Sequence, residues 1–178
     1  SDARGMTGLI DGLLNLAKAD YQRESIRMQE IRLDELLLDV RQTILKAHPD
    51  YRIDLVFDIM DGDGASDRMI TVFGNLYLLS IAATNLIENN CKYSPDRSSF
   101  VQISYWESKA ILRFSDNGAG MDEADRERLF ELFYRGSQEH ATDGHGIGMT
   151  LAQKIIHLHD GRICVHSQPG EGTTFVVE

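Results

Sequence analysis

Cysteine, positive charge and long apolar runs are scarce in this chain of 178 residues. Its two cysteines, Cys91 and Cys164, are too few and too unlike a spaced framework for a secreted disulfide scaffold, so a reducing cytoplasmic setting is expected. Lys and Arg number 18 against 28 Asp and Glu, a formal charge of −10, which argues against a general nucleic-acid or anionic-membrane surface because such partners need clustered positive charge. A small anionic ligand held by local donors stays compatible with that balance. No apolar run approaches the roughly 18–20 residues of a membrane span, and no basic stretch precedes a short apolar one, so any membrane attachment is expected outside this segment. Internal repeats and low-complexity tracts are absent as well. What remains, 42% hydrophobic and 26% charged residues, is the composition of one globular domain with room for an appendage. A chain of this length buries roughly 70% of its unfolded surface and needs neither metal nor disulfide to hold a core.

Along the chain, Met6, Leu9, Ile10, Leu13, Leu16 and Ala17 follow one another mainly in steps of three and four, the seam of an amphipathic helix over about residues 6–25. Such a seam serves packing or dimerisation, or is simply a core face. A second helix is predicted over 33–47, with Leu33, Leu36, Leu37, Val40, Ile44 and Leu45 on one side and Pro49 beyond its end. The period then shortens to near two at Ile53, Leu55, Phe57 and Ile59. A further apolar run at 69–73 reads as a second strand across the turn-rich DGDGAS at 61–66. A long helix over 76–91 is followed by a loop at 95–99 and two alternating segments, 101–106 and 111–115, that read as an antiparallel pair. Short helices at 122–130 and 147–159, a stop at Asp160-Gly161, and strands at 162–167 and 173–177 complete the pattern. Helices mixed with mainly hairpin-connected strands predict an α+β fold with one sheet covered by helices on one face.

Three segments invite chemistry. On the helix over 76–91 and its end, Asn85, Asn89 and Lys92 fall within roughly 60° of one another, while Leu79, Ala82, Ala83 and Leu86 lie on another face. Asparagine is a poor helix former, yet Asn85, Asn89 and Asn90 crowd together. An amide oxygen can ligate Mg²⁺, and an amide NH₂ or an ammonium can meet phosphate; alone, the row is equally a solvated face. SDNGAG at 115–120 closes a strand and reads either as a turn or as a buried acceptor, Asp116, suited to an exocyclic amino group. DGHGIGM at 143–149 leads into a helix, so exposed backbone N–H groups and the helix's positive end suit phosphate, with a flexible hinge as the plainer reading. The polar run SQEHATD at 137–143 reads as a lid or a linker. A zinc site from His157, His159, Cys164 and His166 is not expected, because His157 and His159 diverge by about 200° on a helix.

In this order, the segments carry a resemblance that none carries alone. The chain resembles the ATP-binding catalytic domain of sensor histidine kinases, in the superfamily shared with gyrase, ATP-driven heat-shock chaperones and mismatch-repair ATPases. NLIENNCKYS (85–94) is similar to the family's asparagine box, SDNGAGM (115–121) to its first glycine box and LFELFYRG (129–136) to its phenylalanine box. DGHGIGMTLAQKI (143–155) is similar to the second glycine box and GEGTTF (170–175) to the closing one. The match runs from about residue 33 to the last. MTGLIDGLLNLAKAD (6–20) resembles the end of a dimerisation and phosphoacceptor helix, which accounts for the seam. The resemblance therefore divides the chain into 1–30, part of that helix with a linker, and 31–178, the catalytic domain. It implies a two-layer α/β sandwich of the Bergerat type with a mixed, mainly antiparallel sheet. No phosphoacceptor box is found, and His48, directly before Pro49, reads as a helix-end residue, so the chain is expected to be a piece of a longer kinase.

Carried over by position, the resemblance implies that Asn85 and Asn89 hold Mg²⁺ and phosphate oxygens, with Lys92 on phosphate charge and Tyr93 on the nucleoside side. Asp116 would accept the adenine amino group, with Gly118 and Gly120 giving the ring clearance. Phe130, Phe133 and Arg135 would support the lid. Gly144, Gly146 and Gly148 would cradle the phosphates, with His145, Ile147 and Thr173 completing the ATP contacts. The implied reaction is transfer of the γ-phosphoryl to a histidine on the dimerisation hairpin, then to an aspartate of a response regulator, by a homodimeric, cytoplasmic portion of a membrane-bound sensor. Without that hairpin this chain is expected not to phosphorylate itself. The alternatives are an ATP-hydrolysing switch of the same superfamily, which usually has a glutamate where Asn85 stands, and a degenerate nucleotide-sensing module. Two positions depart from the pattern: Asn90, where a small residue is usual and which needs a partner if buried, and His145, which could either touch the γ-phosphate or face solvent.

Overall fold

The computed structural model describes residues 27–58, 71–106, 109–128 and 148–178. In chain order the elements are β1 (Gln29–Arg32), α1 (Leu33–Ala47), β2 (Arg52–Asp58), β3 (Thr71–Gly74), α2 (Leu76–Tyr93), β4 (Ser98–Trp106), β5 (Lys109–Asp116), α3 (Glu123–Arg128), α4 (Gly148–Leu158), β6 (Ile163–Ser167) and β7 (Thr173–Val177). The proposed helix at 6–25, the turn-rich 61–66 and the lid segment lie outside the described residues.

Five strands make one sheet in the order β2-β4-β5-β7-β6, with β2 parallel to β4 and every other neighbour antiparallel. This is the expected α+β arrangement with a mixed, mainly antiparallel sheet. Alternation along the strands separates two faces. Ile53, Val101, Ile103, Phe114, Phe175, Val177 and Ile163 are buried on the inner face, against Leu36, Leu37, Val40 and Ile44 of α1, Leu86 and Ile87 of α2, and Leu151, Ala152, Ile155 and Ile156 of α4. On α1 and α2 the stripes read from the sequence are the buried ones, apart from Leu45 and Leu79, which pack at the edge of the core; in β2 only Ile53 of the alternating run is buried, with Leu55 half-buried and Phe57 exposed.

The expectation of a single sheet is corrected. The strands on either side of the turn-rich stretch part company: β2 joins β4 in parallel, and β3 pairs antiparallel with β1, so a two-stranded ribbon stands beside the five-stranded sheet. β1 escaped notice because QEIR offers a single buried side chain, Ile31, and no alternation to read. The ribbon ties the start of α1 to the start of α2. At that corner, the Asn75 side chain caps α2 by accepting from Leu78 N–H at 2.9 Å and donates to the Arg27 carbonyl at 2.9 Å. The Asn75 backbone N–H donates to His159 Nε2 at 3.0 Å. The other ring nitrogen, Nδ1, lies 2.7 Å from the Ile155 carbonyl, so the proton sits on Nδ1 and the imidazole clamps the end of α4 to the start of α2.

Candidate active site

Six polar residues are buried among the described ones: Asn90, Ser94, Ser99, Asp116, Ser167 and Thr173. They gather at one end of the sandwich. Asp116 pairs with Thr173 and Thr173 with Ser167 across neighbouring strands, and Ser99 stands one residue beyond the Phe100–Ser115 pair, so four of the six form one row across β4, β5, β7 and β6 on the inner face. Asn90 and Ser94 come down onto that end from α2 and its C-cap.

Asp116 is the centre of this cluster, with 8% of its surface exposed. Its Oδ1 accepts from the Gly118 N–H at 2.8 Å, and its Oδ2 accepts from Asn90 Nδ2 at 3.1 Å. Burial pushes the carboxyl above its ordinary value, against the opposing pull of the donors from Gly118, Asn90 and the Thr173 backbone; Asp96 adds a smaller upward push. Asn90 is fully buried, accepts from Ser99 Oγ at 2.8 Å, and has its amide nitrogen 3.5 Å from the Phe114 carbonyl. The hydrogen-bond partner that a buried Asn90 requires is thus supplied twice over. Ser99 was not singled out from the sequence; the signal was a hydroxyl at an inward position of a strand whose next inward residues are Val101 and Ile103.

The loops around Asp116 are folded tightly on one another. A Cβ on Gly118 would stand 2.1 Å from the Tyr93 carbonyl oxygen, one on Gly120 2.0 Å from that of Gln168, and one on Gly172 2.2 Å from that of Asp116. Gly120 and Gly172 also have φ of +75° and +76°. These glycines are demanded by backbone packing alone, a stronger reason than clearance for a ring. Ser167 Oγ accepts from Met121 N–H and donates to the Gly172 carbonyl, both at 2.8 Å, and lies 2.9 Å from Thr173 Oγ1. The closing loop is thereby stitched to the loop after β5.

On α2, Asn85 and Asn89 are half-buried, Lys92 is exposed and Tyr93 half-buried. The helix runs to Tyr93, two residues past the expected end, so all four side chains share one rigid element. Asn85 Nδ2 donates to the Gly148 carbonyl at 3.3 Å, joining α2 to the first residue of α4. Phe130, Phe133, Arg135, Gly144, His145, Gly146 and Ile147 lie outside the described residues. Among the described residues no group of three or more His, Cys, Asp or Glu is gathered as a metal site. A different concavity of about 270 Å³, at the far end of the sandwich, is lined largely by apolar side chains such as Leu36, Leu79, Leu112 and Ile156, and contains none of the buried polar row.

The sequence profile of the histidine kinase-, DNA gyrase B- and HSP90-like ATPases matches residues 74–178, from the end of β3 to the last residue. The chain belongs to this family. Sensor histidine kinases are among the proteins it resembles. It is 28% identical over 172 residues to the signal transduction histidine-protein kinase ArlS of Staphylococcus aureus strain USA300, covering 95% of this chain and 36% of that protein. The fold matches the Acinetobacter baumannii histidine kinase AdeS with a TM-score of 0.75 at 17% identity, over 98% of this chain and 78% of that one. It also matches full-length ShkA, solved in complex with AMPPNP, with a TM-score of 0.74 at 18% identity, over 97% of this chain and 35% of that one. The chain therefore carries an ATPase domain of this family, and it spans about a third of the length of the curated relative it matches.

Proposed function

We propose that this chain is the part of a two-component sensor kinase that holds Mg·ATP and presents the γ-phosphoryl to a histidine on a dimerisation hairpin, for relay to an aspartate of a response regulator. The observation that carries the reading is the buried, charge-capable acceptor Asp116 at the foot of a helix whose neighbouring face offers Asn85, Asn89 and Lys92. An acceptor so placed suits the amino group of adenine and opposes guanine, which offers a carbonyl at that position. Tyr93 lines the nucleoside side, with Thr173 and the glycines 118 and 120 completing the base pocket. Residues 144–148, with Phe133 and Arg135 supporting the lid, take the phosphates, and Gly148 brings the positive end of α4.

Neutral amide oxygens on Asn85 and Asn89 fit Mg²⁺ only in company with phosphate charge, since this ion is usually held by few protein ligands together with substrate phosphates and waters. When bound, the ion neutralises charge on the transferring group. The protein's share is positioning: phosphoryl transfer asks little covalent chemistry of it. The amide at Asn85 disfavours an ATP-hydrolysing switch, which needs a carboxylate there as general base. Residues 1–30 are assigned to the end of the dimerisation helix and a linker, and 31–178 to the catalytic domain. The parent is a homodimer whose cytoplasmic portion includes this segment, and without a phosphoacceptor histidine the isolated chain does not phosphorylate itself.

Thermal unfolding with Mg·ATP, Mg·ADP and Mg·GTP tests the reading, comparing the parent with Asn89→Ala and Asp116→Ala. Ligand at 100 times its Kd adds about 2.7 kcal/mol, or roughly 2–4 °C per kcal/mol at this size. An adenine-selective rise absent from both variants is expected; no rise with any nucleotide at several millimolar overturns it. Acid-labile phosphate formed on the isolated chain would contradict the statement on self-phosphorylation.

A further inference from the structure

Asn90 stands where the family pattern has a small residue, and the geometry gives it a task. We propose that Asn90, oriented by Ser99, is a positioning residue that keeps Asp116 an ionised, acceptor-only group and so sets the base preference of the pocket. The inference rests on the nucleotide reading of this site.

Ser99 Oγ–H donates to the amide oxygen of Asn90 at 2.8 Å, which leaves the NH₂ group turned towards Asp116 Oδ2 at 3.1 Å. The reverse rotamer would set the amide oxygen against a carboxylate oxygen and against the Phe114 carbonyl, three acceptors with no hydrogen between them. While Asp116 is ionised, only the observed orientation is satisfied. With Gly118 N–H on Oδ1 and the Thr173 backbone as a further donor, both carboxylate oxygens are held by protein donors, and any lone pair left over can accept from a ligand donor but cannot donate to one. Were Asp116 to take up a proton, it would become a donor itself and could meet the carbonyl of guanine. Burial and Asp96 favour that protonated form; the donors from Asn90, Gly118 and Thr173 oppose it. The thiol of Cys91, also on α2, is pushed up to about 12 by burial and stays neutral, so it brings no charge of its own to the balance. Among the described residues, Asn90 is thus the one side-chain donor found on the Asp116 carboxylate.

The test has two independent arms. In the ligand-free chain, the carboxyl carbon of Asp116 is titrated by ¹³C NMR in the parent, in Asn90→Leu, which keeps the volume, and in Ser99→Ala, which leaves Asn90 present but free to turn. Loss of a hydrogen bond to a charged group is worth about tenfold, so the Asn90→Leu midpoint is expected about one pH unit above the parent's, with Ser99→Ala between them. In the second arm, ATP and GTP affinities are measured from pH 5 to 8. The variant should lose ATP affinity at a higher pH than the parent, and its ATP-to-GTP ratio at the acid end should fall at least several-fold. Equal midpoints in all three proteins overturn the proposal. If Asn90→Leu does not fold, the Ser99→Ala titration decides it in the same way. A parent that binds no nucleotide would defeat the reading of the site, while the carboxyl titration still decides what Asn90 does to Asp116.

Discussion

At Asp116 burial lifts the carboxyl above its ordinary range and the donors around it only partly bring it back. Two pH dependences of opposite sign follow. A carboxyl whose folded pKa is raised contributes stability that is complete below the unfolded value of about 3.9 and is lost as pH rises through the folded value. The difference in unfolding free energy between the parent and Asp116→Asn is therefore expected to move against the parent as pH rises through that window, measurable by denaturant melts at intervals of half a pH unit. Nucleotide affinity should move the other way if Asp116 has the proposed role, because only the ionised form can accept from adenine without also donating. Asp116→Asn should lose at least tenfold in ATP affinity even at neutral pH: its NH₂ must face either Gly118 N–H or the Asn90 amide, donor against donor. An unchanged affinity would remove Asp116 from the base pocket. At this scale the sequence was informative about Asp116 and the asparagines, since their types are out of place in a strand end and a helix. It was silent on Ser99, because a serine next to a strand's start is ordinary until its neighbours across the sheet are known.

Helix α2 has a buried face on the sheet and a polar row on its other side, and its N-terminus is set by Asn75. Replacing Asn75 by alanine removes the cap on Leu78 N–H and the bond to Arg27, and should cost about 1–2 kcal/mol in unfolding free energy. Gly172→Ala should cost as much or more, from positive φ and from a methyl 2.2 Å from the Asp116 carbonyl. It should also weaken nucleotide binding, although Gly172 need touch no ligand, because the displaced backbone is that of Asp116; parental affinity in a folded Gly172→Ala protein would contradict this. The elements themselves were legible wherever periodicity was long: α1, α2, α4 and the pair β4–β5 stand close to where the pattern put them. β1 and the partners of β3 were not. Four residues with one inward side chain hold no period, and which strand a short apolar run joins depends on where the helices between them lead the chain.

Across the whole molecule, the two cysteines provide a readout of integrity. Cys91 lies fully buried on the inner face of α2 with its thiol pushed up to about 12, whereas Cys164 is exposed on the edge strand β6. Alkylation of the native chain near neutral pH should therefore stop at one equivalent, on Cys164, and Cys91 should react only as the fold opens. Rapid native labelling of both would mean that the α2–sheet interface is not closed in solution. Bound nucleotide, by stabilising the fold, should slow Cys91 alkylation and leave Cys164 unaffected.

Sequence by itself determined the class of fold, the helical faces, and five boxes in an order that points to the ATPase family matched by residues 74–178, because periodicity and motif order are properties of the chain written in one dimension. Tertiary structure decided that β2 runs parallel beside β4, that β1 and β3 leave the main sheet, and that Ser99, Asp116, Thr173 and Ser167 form one row with Asn90 pressed onto it. These residues are up to 83 positions apart, counted from Asn90 to Thr173. Only strand register and helix placement bring them within hydrogen-bonding reach, and only that proximity turns an odd asparagine into a group that governs the charge of its neighbour.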